Sequence, residues 1–302
     1  MKHLLKMADL SKDNILEILE LAEKLKDYNK NKIEHYLLKN KTLGMIFMKS
    51  STRTRVSFEV GISQLGGRGL FLSGNDLQLG RGEPISDTAK VLSRYLDGIM
   101  IRTFAQQDVE DLAKYGSIPV INGLTDYAHP CQVLADLMTV KEYKKSFDGL
   151  KLCFIGDGFN MANSLIAGGL TVGMDVAVAS PAGYEVEAGI RALGDKYPGK
   201  LKLTNDPIEA AKHADVLITD VWYSMGQSDI VERRAIFKDY KIDAELMKHA
   251  NKDAMVLHCL PAHKDEEISS EIFAAHEHYI LDEAENRLHA QKAVMVKLMG
   301  DK

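Results

Sequence analysis

The sequence predicts an α/β protein of two domains, each built around a parallel sheet. Three observations lead to this prediction. Short apolar runs alternate along the chain with helical patterns, as they do in parallel βαβ units. The 302 residues suffice for two domains, and the 45% hydrophobic content excludes a disordered chain. A polar stretch over residues 141–149 divides the pattern near its middle and is the best candidate for a domain boundary.

The first half of the chain contains three apolar runs that predict short buried strands, at residues 42–48, 98–102 and 118–122. A polar loop over residues 49–55 follows the first run. After this loop Phe58, Ile62 and Leu65 recur at i, i+4 and i+7, which predicts a helix. A second helix is predicted from His129 onward, because apolar residues again follow the helical period.

The second half repeats the alternation of strands and helices. Apolar runs lie at residues 152–155, 175–179, 216–219, 255–258 and 279–281. Helices are predicted at residues 164–171 and 207–213, with a closing helix at about 284–298. The sequence shows no repeat of fixed period, which argues against a solenoid.

Charge and cysteine content exclude several classes of protein. The chain has 38 Lys and Arg against 43 Asp and Glu, a net charge of −5, so any anion site must be local and a general nucleic-acid or membrane-surface role is disfavoured. The three cysteines (Cys131, Cys153 and Cys259) contain no CxxC pair, which argues against a disulfide framework and a structural zinc site. The sequence has neither a signal-peptide pattern nor an apolar run of about 18 residues, so we expect a soluble, cytoplasmic protein.

The densest group of polar donors is the segment 49–55, which includes Ser51, Thr52, Arg53 and Thr54. If a helix begins here, its first backbone N–H groups and its dipole favour an anion. The hydroxyls add short donors, and an arginine adds a planar fork that suits phosphate. An ordinary capped helix with solvated arginines has the same residue types, so this segment alone does not identify a ligand.

Three further residues are candidates for contact with a polarised carbonyl group. His129 and Gln132 are three apart in the first turn of a predicted helix, where a neutral histidine can donate an N–H to a developing oxyanion. A helix cap with a half-buried histidine explains the same pattern. Arg102 ends a predicted strand, where a charge either serves a site or reaches water.

Two polar residues follow predicted strands of the second half. Asp220 is well placed to hold an ammonium group, or it caps a helix. Cys259 is compatible with a nucleophile, a metal ligand or a small buried apolar residue. Gly156 and Gly158 also follow a predicted strand, but Met161 stands where a dinucleotide fingerprint has its third glycine, which disfavours an NAD site.

Taken together and in this order, these motifs resemble the ornithine carbamoyltransferase family, within the aspartate/ornithine carbamoyltransferase superfamily. The resemblance covers about residues 44–298 and depends on five segments: Ser-Thr-Arg-Thr-Arg at 51–55, His-Pro-Cys-Gln at 129–132, Asp-Val-Trp-Tyr-Ser-Met-Gly at 220–226, His-Cys-Leu-Pro-Ala at 258–262 and Glu-Ala-Glu-Asn-Arg-Leu-His at 283–289. The first two segments are shared across carbamoyltransferases. The Ser-Met-Gly and His-Cys-Leu-Pro elements are typical of the ornithine branch.

The resemblance implies two doubly wound parallel-sheet domains of similar size, with the C-terminal helix returning to the first domain. A carbamoyl-phosphate-binding domain would comprise residues 1–140 and 285–302, and an ornithine-binding domain residues 141–284. The resemblance also implies a homotrimer with shared active sites, in which a neighbouring subunit lends Gln78 to the phosphate; assembly beyond a trimer stays open. It implies no cofactor, no metal, and neither nucleic acid nor membrane as partner.

The same resemblance implies a role for each matching residue. Catalytic roles fall to Arg102, His129 and Cys259. The expected contacts to carbamoyl phosphate are Ser51, Thr52, Arg53, Thr54, Gln78, Arg102, His129, Pro130, Cys131, Gln132, Cys259, Leu260 and Arg287. The expected contacts to ornithine are Asn160, Asp220, Ser224 and Met225. The Leu260–Pro261 peptide bond is expected to be cis.

The implied reaction is direct attack of the δ-amine of L-ornithine on carbamoyl phosphate, which gives L-citrulline and phosphate. It belongs to arginine metabolism, where arginine biosynthesis is expected and the breakdown of citrulline stays open as the other direction. One alternative is a carbamoyltransferase for another amine, such as putrescine, which Asp220 and the Ser-Met-Gly element disfavour because they suit an α-amino acid. Another is a non-catalytic carbamoyl-phosphate sensor, which the joint presence of Arg102, His129, Asp220 and Cys259 disfavours.

Overall fold

The computed structural model describes residues 1–223 and 229–300, and the chain divides into two compact units. Unit 1 comprises Met1–Met138 and Asn286–Lys302, and unit 2 comprises Thr139–Glu285. Each unit contains one sheet whose described strand pairs are all parallel. The predicted fold class is therefore confirmed, including the return of the C-terminal helix to the first unit.

Unit 1 contains a four-stranded sheet with the strand order β2-β1-β3-β4. Its strands are β1 (Thr42–Phe47), β2 (Arg68–Ser73), β3 (Gly98–Arg102) and β4 (Val120–Leu124). Its helices are α1 (Lys12–Lys30), α2 (Thr52–Gln64), α3 (Ile85–Leu92) and α4 (Gln106–Tyr115). Helix α5 (Pro130–Lys144) begins in unit 1 and ends in unit 2.

Unit 2 is a five-stranded sheet with the order β7-β6-β5-β8-β9. Its strands are β5 (Lys151–Ile155), β6 (Asp175–Ala179), β7 (Leu201–Thr204), β8 (Val216–Thr219) and β9 (Met255–His258). Its helices are α6 (Asn160–Val172), α7 (Ala188–Gly194), α8 (Pro207–Ala211), α9 (Ile230–Phe237) and α10 (Ala244–Met247). Helix α11 (Ser270–Met299) begins in unit 2 and ends in unit 1.

The central strands consist of nearly continuous apolar residues, because both faces of a parallel sheet are covered by other elements. All four residues of β8 and of β9 are buried, and only the first residue of β1 and of β5 is partly accessible. The edge strand β2 is different, since most of its side chains are exposed or half-buried. The sequence pattern therefore identifies the central strands and gives no signal for β2.

Two predictions about local structure are wrong. The apolar run at residues 279–281 lies inside α11, and this helix begins at Ser270 rather than near residue 284. A run of three apolar residues has no distinctive period, so it does not separate a strand from one turn of a helix. In addition, α2 begins at Thr52, inside the predicted loop 49–55. The helix start places Thr52 and the residues after it in its first turn.

The strand order of each unit reverses at one point. In unit 1 the chain runs from β1 outward to β2 and then returns to β3 on the other side of β1. In unit 2 it runs from β5 through β6 to β7 and returns to β8 beside β5. In open parallel sheets, ligands bind beyond the carboxyl ends of the two strands that flank such a reversal. The topology alone therefore indicates two places: the ends of β1 and β3, and the ends of β5 and β8.

Candidate active site

The first group of candidate residues lies at the start of α2, beyond the carboxyl end of β1. Ser51 is the N-cap of this helix, and its Oγ accepts a hydrogen bond from the Thr54 N–H at 3.2 Å. The N–H groups of Thr52 and Arg53 belong to the first turn, where helical geometry offers no internal partner. These donors and the helix dipole favour an anion. We call Ser51, Thr52, Arg53 and Thr54 the cradle.

Two arginines from other elements of unit 1 converge on the cradle through Thr54. The Thr54 side chain is buried, its Oγ1 accepts a hydrogen bond from Arg287 Nη2 at 3.1 Å, and Arg102 Nη1 lies 3.5 Å from the same oxygen. Arg102 is the last residue of β3, and its register partner on β1 is Phe47. Arg287 also donates from Nη1 to Gln132 Oε1 at 3.0 Å. One guanidinium of α11 thus joins α2 to α5.

His129, which directly precedes α5, is buried among these positive charges. Its pKa lies well below the usual value, first because burial desolvates the charged ring and then because Arg287, Arg102 and Arg53 oppose protonation. The neutral ring has one N–H donor and one acceptor nitrogen. Unit 1 therefore brings three guanidinium groups and a neutral histidine together, a set that suits a phosphate and a polarised carbonyl group.

The first turn of α5 contains the other predicted residues of this group. Pro130 is its first residue, a position where the missing N–H of proline is not needed. Gln132 Nε2 donates to Asp136 Oδ1 at 2.8 Å, and together with Arg287 this bond fixes the orientation of the carboxamide. The Cys131 thiol donates to a backbone carbonyl at 3.3 Å, and burial raises its pKa to about 12. Cys131 is thus a protonated residue of the core.

In unit 2 the candidate residues follow β5, β8 and β9. Thr219 and His258 are register partners across β8 and β9, so the residues after them, Asp220 and Cys259, are neighbours. The Cys259 thiol donates to Asp220 Oδ1 at 3.0 Å, and the backbone N–H of Val221 donates to the same oxygen at 2.8 Å. Asn160, the buried first residue of α6, follows the adjacent strand β5. This group offers a half-buried carboxylate and a carboxamide.

A buried network shapes the segment after β9. The Leu260 N–H donates to His258 Nδ1 at 2.9 Å, so His258 carries its hydrogen on Nε2, which lies 2.9 Å from Glu267 Oε1. The backbone N–H of His258 donates to Glu283 on α11, also at 2.9 Å. Leu260 has a φ of +56°, a strained conformation for a branched residue, and the Leu260–Pro261 bond is cis as expected. Such strain persists only where surrounding contacts enforce it, and His258 supplies one of them.

One predicted residue, Gln78, belongs to neither of these two groups. Gln78 begins the 3-10 helix Gln78–Arg81 after β2, and its side chain is exposed. Ser224 and Met225 lie outside the described residues.

The sequence interpretation missed a further pair beside the cradle. The Lys49 ammonium lies 2.5 Å from Asp126 Oδ1 and 4.1 Å from the centre of the Phe104 ring. Lys49 is almost fully buried, so this pair fixes the residues before α2 against the residues before α5. Lys49 begins the polar segment 49–55 and Asp126 lies three residues before His129, but nothing in the sequence indicates that the two pair, because they are 77 positions apart along the chain.

Two kinds of feature are absent from the described residues, 1–223 and 229–300. No helix there has the length and apolar content needed to cross a membrane. In the same ranges, no group of three or more His, Cys, Asp or Glu side chains is arranged to hold a metal ion.

Comparisons with known proteins find relatives over almost the whole chain. Residues 2–142 match the family described as "Aspartate/ornithine carbamoyltransferase, carbamoyl-P binding domain", and residues 148–298 match the "Asp/Orn binding domain" of the same description. The ornithine carbamoyltransferase of Carboxydothermus hydrogenoformans is 53% identical over 301 residues, which cover 98% of this chain and 97% of that protein. The corresponding protein of Thermococcus kodakarensis is 51% identical over 299 residues, covering 97% and 95%.

Solved structures show the same relationship. The ornithine carbamoyltransferase of Pyrococcus furiosus superposes with a TM-score of 0.95 at 48% identity, covering 100% of this chain and 98% of that one. The "anabolic ornithine carbamoyltransferase" of Campylobacter jejuni superposes with a TM-score of 0.92 at 44% identity, covering 99% of both chains.

Proposed function

The chain belongs to the aspartate/ornithine carbamoyltransferase family, and we propose that it transfers the carbamoyl group of carbamoyl phosphate to the δ-amine of L-ornithine, giving L-citrulline and phosphate. It is an enzyme, a carbamoyltransferase of the ornithine class, like the relatives that share about half of its sequence. The observation that carries the proposal is the chemical contrast between the two groups of residues. One is a cluster of guanidinium groups around a helix N-terminus, and the other is a carboxylate beside a thiol.

The carbamoyl-phosphate half of the reaction belongs to residues 1–140 with 285–302, and the ornithine half to residues 141–284. In the first half, the cradle holds the phosphate through its N–H groups and hydroxyls. Arg102 and Arg287 add charge-assisted hydrogen bonds to the phosphate oxygens. His129 and Gln132 contact the carbamoyl group, with Pro130 and Cys131 completing the turn that holds them.

In the ornithine half, Asp220 pairs with the α-ammonium group and Asn160 binds the α-amino acid head, with Ser224 and Met225 as further contacts. Cys259 and Leu260 lie against the reacting amine and the carbamoyl group. Asp220 supports this assignment because a half-buried carboxylate at the end of a parallel strand attracts an ammonium group more strongly than an exposed one does.

The mechanism is direct attack of the neutral δ-amine on the carbamoyl carbon. A new C–N bond forms, the bond from carbon to the phosphate oxygen breaks, and the proton that the amine loses goes to the departing phosphate. No covalent enzyme intermediate forms, so Cys259 binds the amine rather than attacking the substrate. An alkylamine with a pKa of about 10.4 requires about 4–5 kcal/mol to deprotonate at pH 7. Binding in a dry pocket lowers that pKa and reduces this requirement.

The second barrier is the negative charge that develops on the carbamoyl oxygen and the departing phosphate. Arg102 and His129 supply donors in positions that are fixed before the reaction begins, because both belong to the hydrogen-bonded and buried cluster of unit 1. The neutral state of His129 matters here, since the ring donates an N–H without adding a fourth positive charge to the cluster.

The enzyme assembles as a homotrimer in which Gln78 of a neighbouring subunit reaches the phosphate. The supporting observation is a set of exposed apolar side chains at one edge of the unit 1 sheet, namely Val56 and Val60 on α2 and Leu70 and Phe71 on the edge strand β2. Val56 is 54% and Leu70 is 46% exposed, and β2 is an edge strand of its sheet. Exposed apolar edge strands favour a covering partner, here a second copy of the chain. Sedimentation equilibrium tests this with an expected mass three times that of the chain.

We place the reaction in arginine biosynthesis in the cytoplasm. The Campylobacter jejuni relative is described as anabolic, which supports the direction. The three cysteines are free thiols, which is typical of a reducing compartment.

The decisive experiment measures product formation from carbamoyl phosphate with ornithine, putrescine, lysine and aspartate side by side. Strong preference for ornithine is expected, because Asp220 suits an acceptor with an α-amino group. Preference for putrescine would preserve the carbamoyl-phosphate half and refute the acceptor half. Mass spectrometry after incubation with carbamoyl phosphate alone should show unmodified Cys259, and a carbamoylated thiol would refute direct attack.

A further inference from the structure

Unit 2 contains a buried cation, Arg233, that the proposed mechanism does not use. Arg233 lies on α9 and is 5% exposed. Its Nη2 donates to the Asp157 carboxylate, and its Nε donates to the Trp222 carbonyl at 2.5 Å. A second carboxylate, Asp229 Oδ2, lies 3.8 Å from its Nη1. One guanidinium therefore binds groups from three separate parts of unit 2.

Aromatic rings fix the orientation of this guanidinium. Its central carbon lies 4.8 Å from the centre of the Tyr184 ring and 5.0 Å from that of Phe237. Tyr184 and Phe237 also contact each other in an edge arrangement at 5.0 Å. Such contacts hold the plane of an arginine and strengthen when water is excluded. The side chain is consequently a rigid connector rather than a mobile surface charge.

The groups that Arg233 joins lie directly beside the proposed ornithine contacts. Asp157 belongs to the turn after β5, three residues before Asn160. Trp222 belongs to the turn after β8, two residues after Asp220. Strands β5 and β8 are neighbours at the reversal of strand order. Arg233 therefore ties together the two turns whose separation sets the distance between Asn160 and Asp220.

The turn after β5 has little freedom of its own. A side chain at Gly158 would place its Cβ 2.4 Å from the backbone of Glu185 and Val186, so this residue must be glycine. The Gly158 N–H donates to the Tyr184 carbonyl at 2.8 Å. One side of the turn is thus held by backbone contacts, and the other side is held by the bond from Asp157 to Arg233.

Electrostatics give a second reason for the arginine. The pKa of Asp157 is raised, chiefly by burial, while the Arg233 guanidinium opposes this shift and the charges of Asp220 and Asp229 add to it. Arg233 is therefore the counter-charge to the carboxylates of Asp157 and Asp229. A buried carboxylate that loses its paired cation destabilises its surroundings strongly.

We propose that Arg233 is a positioning residue for the acceptor: by joining Asp157 to the Trp222 carbonyl, it sets the spacing of Asn160 and Asp220 and so the affinity for the α-amino acid head. This inference depends on the proposed function, because it assumes that Asn160 and Asp220 bind ornithine. Arg233 itself touches no substrate in this proposal.

The first test is the substitution Arg233→Lys. A lysine keeps the positive charge beside Asp157, but its single ammonium lacks the planar fork that also reaches the Trp222 carbonyl. We expect the variant to fold and its KM for ornithine to rise about ten-fold, as for the loss of one charge-assisted hydrogen bond. The KM for carbamoyl phosphate should stay within about two-fold of the wild-type value, because the contacts of unit 1 are unchanged.

The double variant Arg233→Met with Asp157→Asn separates positioning from stability. It removes the cation and the carboxylate together, so no unpaired buried charge is left, and we expect it to melt at a higher temperature than Arg233→Met alone. Its KM for ornithine should nevertheless remain raised about ten-fold, because the Trp222 carbonyl still lacks its donor. A matched control is Lys200→Met, which breaks the Lys200–Asp175 pair at the opposite end of the sheet and should leave both KM values unchanged.

The outcomes distinguish this inference from the proposed function. If the wild-type enzyme forms no citrulline, the proposed function fails and this inference fails with it. If the wild type is active and both Arg233 variants keep its KM for ornithine within about two-fold, only the positioning role is refuted. If Arg233 had a purely structural role, its variants would contain less folded enzyme, so the apparent kcat would fall and both KM values would stay unchanged. That result would also refute the positioning role.

Discussion

Replacing Arg287 by lysine is the sharpest test of how the carbamoyl-phosphate half is built. Arg287 is buried on α11, and its two terminal nitrogens donate to Gln132 Oε1 at 3.0 Å and to Thr54 Oγ1 at 3.1 Å. The two acceptors lie on different helices, so the arginine serves as a bridge. A lysine keeps the charge but brings one ammonium in place of two separated nitrogens.

The size of the effect follows from these two bonds. Arg287→Lys loses at least one charge-assisted hydrogen bond to a buried acceptor, a loss of about 1.5–3 kcal/mol. If that energy maintains the geometry that binds carbamoyl phosphate, its KM rises by about ten- to one-hundred-fold. The KM for ornithine should change by less than about two-fold, since its proposed contacts lie in unit 2.

The assay is the initial rate of citrulline formation over a range of carbamoyl phosphate concentrations at saturating ornithine. The matched control is Lys297→Met on the same helix, where an exposed lysine pairs with Glu17 at 2.7 Å. Exposed pairs contribute little, so this variant should keep both wild-type KM values. An Arg287→Lys enzyme whose KM for carbamoyl phosphate matches the control would show that the bridge does not shape the anion site.

Three further predictions concern charge and protonation. Arg102→Ala should raise the activation free energy by about 3–4 kcal/mol and so lower kcat, which rates at saturating substrates would measure. A near-normal kcat would show that Arg102 does not stabilise the transition state. The value of kcat/KM for ornithine should climb between about pH 7 and 9 as the amine deprotonates, and a flat profile would contradict attack by a neutral amine. Protonation of His129 should not steepen the fall on the acid side until the pH lies well below 6.5, because its depressed pKa keeps the ring neutral. Burial lowers the pKa of Lys292, which contacts His35 and Gln64, from 10.5 to about 8. The folded state therefore releases this proton at a lower pH than the unfolded state does. The free energy of unfolding should consequently rise by about 2–3 kcal/mol between pH 8 and 10.5. Urea titrations of Lys292→Met should lack this rise.

The parts of the fold that the sequence predicts are those with one dominant physical cause. The runs at residues 98–102, 175–179, 216–219 and 255–258 match β3, β6, β8 and β9 residue for residue, because strands buried on both faces need continuous apolar side chains. Strand β2 was missed since its pairing, rather than burial, holds it in the sheet. Helix α1 was also missed, although Ser11 caps it and the buried Ile15, Ile18 and Leu19 follow the helical period.

The candidate site divides in a similar way. Residues that follow a strand, such as Asp220 and Cys259, can be predicted because the ends of parallel strands lie at one edge of a sheet. Their contact at 3.0 Å follows from the register of β8 and β9, which the sequence does not reveal. The bridge from Arg287 to Thr54 spans 233 residues of chain, and only the resemblance to a family indicated that Arg287 belongs to the site.

The same topological feature, a reversal of strand order, positions both halves of the proposed site, and the charges of the nearby side chains distinguish the two halves. Each unit reverses its strand order once, and each places its polar groups beyond the two strands that flank the reversal. At the first reversal, a helix N-terminus and two arginines create a positive field for a phosphate, although the chain as a whole is negative. At the second, the start of α6 is accompanied by Asp220, so the same geometry accepts a cation. In the proposed assignment, the sign of a few side chains at this common position distinguishes the site for carbamoyl phosphate from the site for ornithine.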